Sequence, residues 1–171
     1  DRVVVMKDGV AQQIGSASDI YHYPRNRFVA GFLGSPPMNF LSGTIVPDSG
    51  KLYFDEGSGR LPLTEQSARQ LQGSVGRTVV LGVRPEQLGS QDARFATNGN
   101  SLEMKARLVQ TLGDRLVVYF TTPKHDHIVA QLDGYATVKP SDSMRMFVDM
   151  ERSLVFAAEG DGARLSGPKL D

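Results

Sequence analysis

The chain has 171 residues, no cysteine and no tryptophan, and its 19 basic residues are balanced by 19 acidic ones. Disulfide scaffolds, thiolate metal sites and cysteine nucleophiles are therefore excluded, and zero formal net charge gives no whole-molecule field to gather nucleic acid or anionic lipid. No apolar run approaches the ~18 residues of a membrane-spanning helix.

The chain starts on Asp1-Arg2 and runs at once into Val3-Val4-Val5-Met6, without initiator Met or signal-peptide pattern. It reads as a sequence entered at the edge of a strand, a fragment of something longer. Short β-branched runs at 3–6 and 10–14 flank Lys7-Asp8-Gly9, a hairpin signal with Asp-Gly in the turn. Ser16 with Asp19 three residues on is a capping box that opens a helix, which Pro24 prevents from running on. Asn26 caps a second helix, whose Phe28, Val29, Phe32 and Leu33 form one apolar face; Gly34 is placed as the residue after its end and Pro36-Pro37 enforces the stop.

After Pro37 the period changes. Phe40 to Val46 alternates loosely, Pro47-Asp48-Ser49-Gly50 turns the chain, and Lys51 to Phe54 returns it. Gly57-Ser58-Gly59 is a loop, Thr64 to Leu71 holds two helical turns, and Thr78 to Val83 is a strand with Val79, Leu81 and Val83 on one face. Residues 89–100 read as a polar surface loop. Strands follow at 102–111, 115–122 and 127–132, the first two joined by a tight turn at Leu112-Gly113-Asp114. Met144 to Asp149 and Leu154 to Ala157 are expected to form the last pair, and the Gly-rich tail from Glu159 to fray. Short strands at near-regular spacing predict a small barrel or sandwich. The boundary falls at residue 37: an α/β segment over 1–37, then an all-β domain over 38–171, large enough to bury its own core.

The chemistry-bearing motifs are sparse. No Gly-x-x-x-x-Gly-Lys-Ser/Thr phosphate loop and no Gly-x-Ser-x-Gly elbow occurs. Leu41-Ser42-Gly43-Thr44 and Leu165-Ser166-Gly167-Pro168 only mimic the start of an ABC signature, since the following Gly-Gln is missing. His125 and His127 share a strand face, but Pro123-Lys124 beside them indicates a solvated hairpin tip rather than a metal clip. His22, between Tyr21 and Tyr23, reads as a packing or surface residue. Glu86, Glu103 and Asp149 are scattered carboxylates with nothing to pair them. The aromatics Tyr53, Phe54, Phe95, Tyr119, Phe120, Tyr135, Phe147 and Phe156 read as core, because basic residues do not cluster with them as a base-stacking sheet requires.

Residues 26–41, Asn-Arg-Phe-Val-Ala-Gly-Phe-Leu-Gly-Ser-Pro-Pro-Met-Asn-Phe-Leu, closely resemble the stretch of carbohydrate ABC importer ATPase subunits where the nucleotide-binding domain ends and the regulatory domain begins. The maltose and glycerol-3-phosphate importers belong to that family. Asp1 to Met6 with Gly9 and Ile14-Gly15 resembles the strand pair before it, and Tyr21-His22-Tyr23-Pro24 the helix end between them. Leu81-Gly82-Val83-Arg84-Pro85-Glu86 is similar to the family's Gly-Ile/Val-Arg-Pro-Glu strand end. Gln110 to Asp114 resembles its later Leu-Gly turn, and Leu154-Val155-Phe156 with Gly162 to Leu165 its closing strand and tail.

The resemblance implies an all-β, OB-like barrel of the transport-associated type, preceded by a short hairpin and two short helices left over from an α/β ATPase domain. It implies a regulatory and dimerisation role without catalysis by this fragment. ATP and magnesium would belong to the parent subunit and no cofactor to the fragment. Implied partners are a second copy, permease subunits reached through the missing ATPase domain, and a regulatory protein, with no nucleic acid. The location is cytoplasmic, peripheral on the inner face of the membrane. Arg27, Phe40, Arg84 and Glu86 are the candidate protein-interaction surface. The alternative is a barrel that senses a small ligand, an oxyanion or sugar, with Lys139 and Ser141 to Ser143 supplying part of a site. Zero net charge disfavours a third reading, single-stranded nucleic-acid binding.

Overall fold

Asp8 and Gly9 both take positive φ, 50° and 80°, as the two central residues of a type I′ hairpin turn must. In the computed structural model, which describes residues 2–168, they join β1 (Val3–Lys7) to β2 (Val10–Gly15). Alternation sends Val3 and Val5 inward against Ile20 and Val29, while Val4, Met6 and Ile14 stay 48, 52 and 59% exposed.

The expected capping box is present: Ser16 Oγ accepts from the Asp19 amide and the Asp19 carboxylate accepts from the Ser16 amide, opening α1 (Ala17–His22). Asn26 caps α2 (Arg27–Phe32) in the same way, through the Val29 amide. The buried residues of α2 are Val29 and Ala30, and Phe32 is 61% exposed. The expected apolar face holds at Val29, with Phe28 and Leu33 packed partly against the hairpin, but it is shifted towards Ala30 and leaves Phe32 outside, because α2 packs between the hairpin and the barrel.

The remaining elements are β3 (Asn39–Asp48), β4 (Lys51–Asp55), β5 (Arg60–Pro62), α3 (Glu65–Gln70), β6 (Thr78–Val83), β7 (Leu88–Gly89), β8 (Ser101–Leu112), β9 (Arg115–Thr121), β10 (Ile128–Asp133), β11 (Ser143–Val148), β12 (Leu154–Ala157) and β13 (Arg164–Ser166). They build two antiparallel sheets, ordered β13-β12-β6-β3-β4-β5 and β10-β9-β8-β11-β7. The sheets wrap face to face around one core, with Leu41, Phe54, Leu81, Met104, Phe120 and Ile128 among its fully enclosed side chains. β6 is buried on both faces: Leu81 points into the barrel, while Val80 joins Ala30, Met38, Leu154 and Phe156 in a second cluster beneath α2.

Two expectations fail here. β11 and β12 do not pair. β11 lies between β8 and β7 in one sheet and β12 between β6 and β13 in the other. Residues 149–153 carry the chain across the barrel edge, held by the Asp149 amide on Gln87 O at 2.9 Å and by Ser153 Oγ on Met150 O at 3.0 Å. The Gly-rich tail does not fray up to residue 168. β13 pairs with β12, Ala163 bridges Asn26, and Arg164 N–H donates to Arg25 O at 2.9 Å. The glycines that suggested disorder supply the positive φ at Gly160 and Gly162, 63° and 68°, that folds the tail back.

Candidate functional site: a helix–barrel junction and a barrel seam

Arg84 directly follows β6 and is 2% exposed. Its Nη1 donates to Leu33 O at 2.9 Å and its Nη2 donates to Tyr21 O. A single guanidinium thus covers the carbonyl ends of both α1 and α2, where a cation is favoured. It also lies over the Tyr21 ring, 3.4 Å from the centroid. The Tyr21 hydroxyl donates to Glu86 Oε1 at 2.6 Å, so Arg84 and Glu86 grip one tyrosine from two sides. Pro85 starts the short 3-10 turn that aims them, and Arg84 N–H donates to Gln87 Oε1 at 2.8 Å. Burial, then the bond to Glu86, pushes the Tyr21 hydroxyl up to about 12, with the Arg84 charge opposing. Burial lowers the Arg84 guanidinium, and Tyr21 and Glu86 offset part of that.

The other two candidate interaction residues, Arg27 and Phe40, also lie on or against α2. Arg27 Nη2 donates to Ala158 O at 3.1 Å, with the Arg27 amide on Gly162 O at 3.0 Å. Phe40 meets Phe156 edge-on at 5.9 Å and lies against Gly31 of α2. Arg27 and Phe40 are half-buried and Glu86 is exposed, so these three keep surface that a partner can reach. Arg84 does not: it is an internal latch between the helices and the barrel.

A second polar cluster closes the barrel. On the β4 side of β3 the ladder stops at Thr44 opposite Asp55. Beyond that point His125 takes the place of a strand: its Nε2 accepts from the Ser42 amide at 2.9 Å. Its Nδ1 is 2.6 Å from Oε1 of Glu56, a carboxylate with no exposed surface. Since Nε2 accepts, the proton resides on Nδ1 and is donated to Glu56. Thr122 Oγ1 donates to the same oxygen at 2.6 Å, and the Ser58 amide and hydroxyl both donate to the other. Burial pushes the Glu56 carboxyl up, but the bonds from Ser58, Thr122 and His125 outweigh it and hold it below its ordinary value. Asn39 does the same for β10: Nδ2 donates to Val129 O at 2.8 Å and Oδ1 accepts from the Val129 amide at 2.7 Å. The amide side chain is a one-residue strand across the seam.

His125 is therefore not part of a solvated tip. Its side chain is 14% exposed, and both ring nitrogens are engaged. His127 packs on Tyr119 instead, with centroids 5.5 Å apart. The roles of Glu56, Asn39 and Tyr21 were not foreseen. Glu56 stands beside Asp55 and Gly57-Ser58-Gly59, which signals a solvated loop, and its partners lie 66 and 69 positions away. Two of the backbone donors suggested for an oxyanion site are engaged within the fold. The Ser141 amide donates to Ala106 O at 2.8 Å, and the Lys139 amide donates to the Asp142 carboxylate at 2.9 Å. Asp92 and Asp133 line the neighbouring cleft of about 530 Å³.

These features define an OB-fold barrel with a helical junction at its base, and residues 34–88 match the MalK OB fold domain. Along 95% of its length the chain is 36% identical to an uncharacterized ABC transporter ATP-binding protein, YurJ of Bacillus subtilis, of which it covers 45%. It is also 42% identical, over 70% of its length, to the trehalose/maltose import ATP-binding protein MalK of Thermococcus litoralis, covering 32% of that protein. The chain carries a MalK-type OB-fold domain and is similar over most of its length to ATP-binding proteins of ABC transporters. It spans less than half the length of these relatives. Among solved structures, the cytoplasmic molybdate-binding protein ModG, in its molybdate-bound form, is similar in fold, with TM-score 0.53 and 17% identity. The match covers 70% of this chain and 95% of that one.

Proposed function

We propose that the chain is the regulatory and dimerisation region of the ATP-binding subunit of a carbohydrate ABC importer, and that it is not itself catalytic. The observation that carries this is the Arg84 latch. It fixes the barrel to the two-helix segment by bonds to both helix ends, so displacement of the barrel is passed to the helices. Control of an attached ATPase requires contact that differs between its open and closed states, and a stiff junction transmits such a difference. In the full subunit, ATP and magnesium are held by residues outside this chain. The ATPase portion meets the permease, and a second copy meets the barrel. Arg27, Phe40 and Glu86 offer reachable surface to a regulatory protein. The subunit works at the cytoplasmic face of the membrane.

The ligand-sensing alternative has less support: the amides beside Lys139 and Ser141 are already bonded, and carboxylates line the cleft nearby. The test is Arg84→Met in the full-length subunit reconstituted with its permease. Basal ATP hydrolysis should persist while its response to transport substrate or regulator is blunted. An unchanged response with an intact fold refutes the reading.

A further inference from the structure

Among the strands of the two large sheets, one edge is both long and open. β11 covers β8 only over Ser101 to Lys105, and the last crosslinks are the Ala106 amide on Asp142 O and the Ser141 amide on Ala106 O, each 2.8 Å. Beyond them β8 runs on through Leu112 with β9 on one side only. Arg107, Leu108, Gln110, Thr111 and Leu112 are exposed, and Leu108 and Leu112 are large apolar side chains at 48 and 56% exposure. Other edges are short or covered: β5, β7 and β13 have three, two and three residues, and β10 is bonded to Asn39 at Val129 and packs against the Pro85–Gln87 turn and β7. Proteins normally blunt such an edge with Pro or charge; from 108 to 112 there is neither.

We infer that the β8 edge from Arg107 to Leu112 is a strand-pairing site for a second copy of this chain. The inference rests on the self-association in the functional reading and states where it occurs. Backbone parity fixes the register. The two-residue turn makes Leu112 and Arg115 a hydrogen-bonded pair. Leu108, Gln110 and Leu112 therefore direct their amides and carbonyls to β9, and Val109 and Thr111 direct theirs outward. A two-fold pairing that uses both outward residues sets Val109 opposite the partner's Thr111, with the dyad at Gln110. The same register stacks Leu108 on the partner's Leu112 twice, on one face, as non-hydrogen-bonded pairs where side chains approach most closely. Arg107 then faces Gly113 of the partner, so no like charges are opposed over the paired stretch. Four backbone hydrogen bonds and two leucine pairs are a small interface, which gives weak association in the isolated chain and adds to dimerisation of a larger parent.

The absence of native cysteine makes the test direct. At the dyad, paired Cα atoms lie about 4.5 Å apart, inside the disulfide window of about 4.4–6.8 Å. Gln110→Cys should therefore crosslink under mild oxidation far faster than Gln72→Cys, an exposed collisional control. Thr111→Pro removes an outward donor without touching the β9 ladder, and should weaken self-association about tenfold or more by sedimentation with melting unchanged. Equal crosslinking of the two cysteine variants overturns the inference. A chain that dimerises with Thr111→Pro unaffected also overturns it, while leaving dimerisation standing elsewhere. A monomer at every concentration to a millimolar overturns both, and leaves the edge to a strand from another protein.

Discussion

Replacing Glu56 by Gln keeps the shape of the buried side chain and removes only its charge and one acceptor. The carboxylate receives four donors: the Ser58 amide and hydroxyl on one oxygen, Thr122 Oγ1 and His125 Nδ1 on the other. A Gln amide has one acceptor oxygen, so its NH2 must face either the Ser58 amide or the His125 ring. The ring cannot relieve this by moving its proton, because Nε2 then confronts the Ser42 amide, 2.9 Å away. Either orientation leaves buried donors facing each other, at about 1–3 kcal/mol, and also weakens charge-assisted bonds. A total of about 2–4 kcal/mol follows, or roughly 5–15 °C in melting temperature for a domain of this size. Calorimetry of both proteins across pH checks the cause as well as the size. The folded Glu56 carboxyl titrates below its ordinary value of 4.5, so its stabilisation is complete above that pH and drains away as pH falls through the folded value. The gap between the native chain and the Glu56→Gln variant should be full at pH 7 and shrink as the pH falls below 4.5. A melting difference under about 1 °C at pH 7 refutes the argument, since fully buried donors facing each other cannot be that cheap.

Gly113 sits at φ 66° with nothing within 4 Å of a Cβ built there. Gly113→Val should cost about 1–3 kcal/mol of backbone strain and Gly113→Asn clearly less, by denaturant melts; equal costs would mean the turn relaxes. Asn39→Leu should cost about 2–4 kcal/mol by leaving the Val129 amide and carbonyl unpaired, and exchange at the Val129 amide should accelerate; slow exchange would show that another group fills the seam. Tyr21, pushed up to about 12, should supply a late step in an ultraviolet titration that is missing from Tyr21→Phe. Its stabilisation is full below the ordinary value of 10.0 and is lost as pH rises through about 12, so the melting gap between the native chain and Tyr21→Phe should be full at pH 7 and close as pH rises from 10.0 towards about 12.

The parts of this fold that were legible in sequence are those set by neighbours along the chain. Asp8-Gly9 turns β1 into β2, Ser16 and Asn26 cap α1 and α2, the two helical turns from Thr64 to Leu71 hold α3, and Gly113-Asp114 turns β8 into β9. The failures are long-range. Nothing local distinguishes β11 and β12 as a hairpin from β11 and β12 as members of two sheets; that depends on whether β8 and β6 have edges free to receive them. The same holds for the candidate site. Arg84, Pro85 and Glu86 stand out as a motif, but the latch needs Tyr21 and Leu33, 63 and 51 positions earlier. His125 drew attention as a histidine and was misplaced, because its partners Glu56 and Ser42 carry no signal of their own.

The barrel seam has an evolutionary consequence. Where strands close a barrel by backbone pairing, no point substitution other than proline abolishes the closure, because every residue brings the same amide and carbonyl. Here Asn39 and His125 supply the missing rungs from their side chains. Closure has thus become a heritable letter at two positions rather than a property of the polymer. A lineage can remove one of these rungs in a single mutational step, and can restore it as simply.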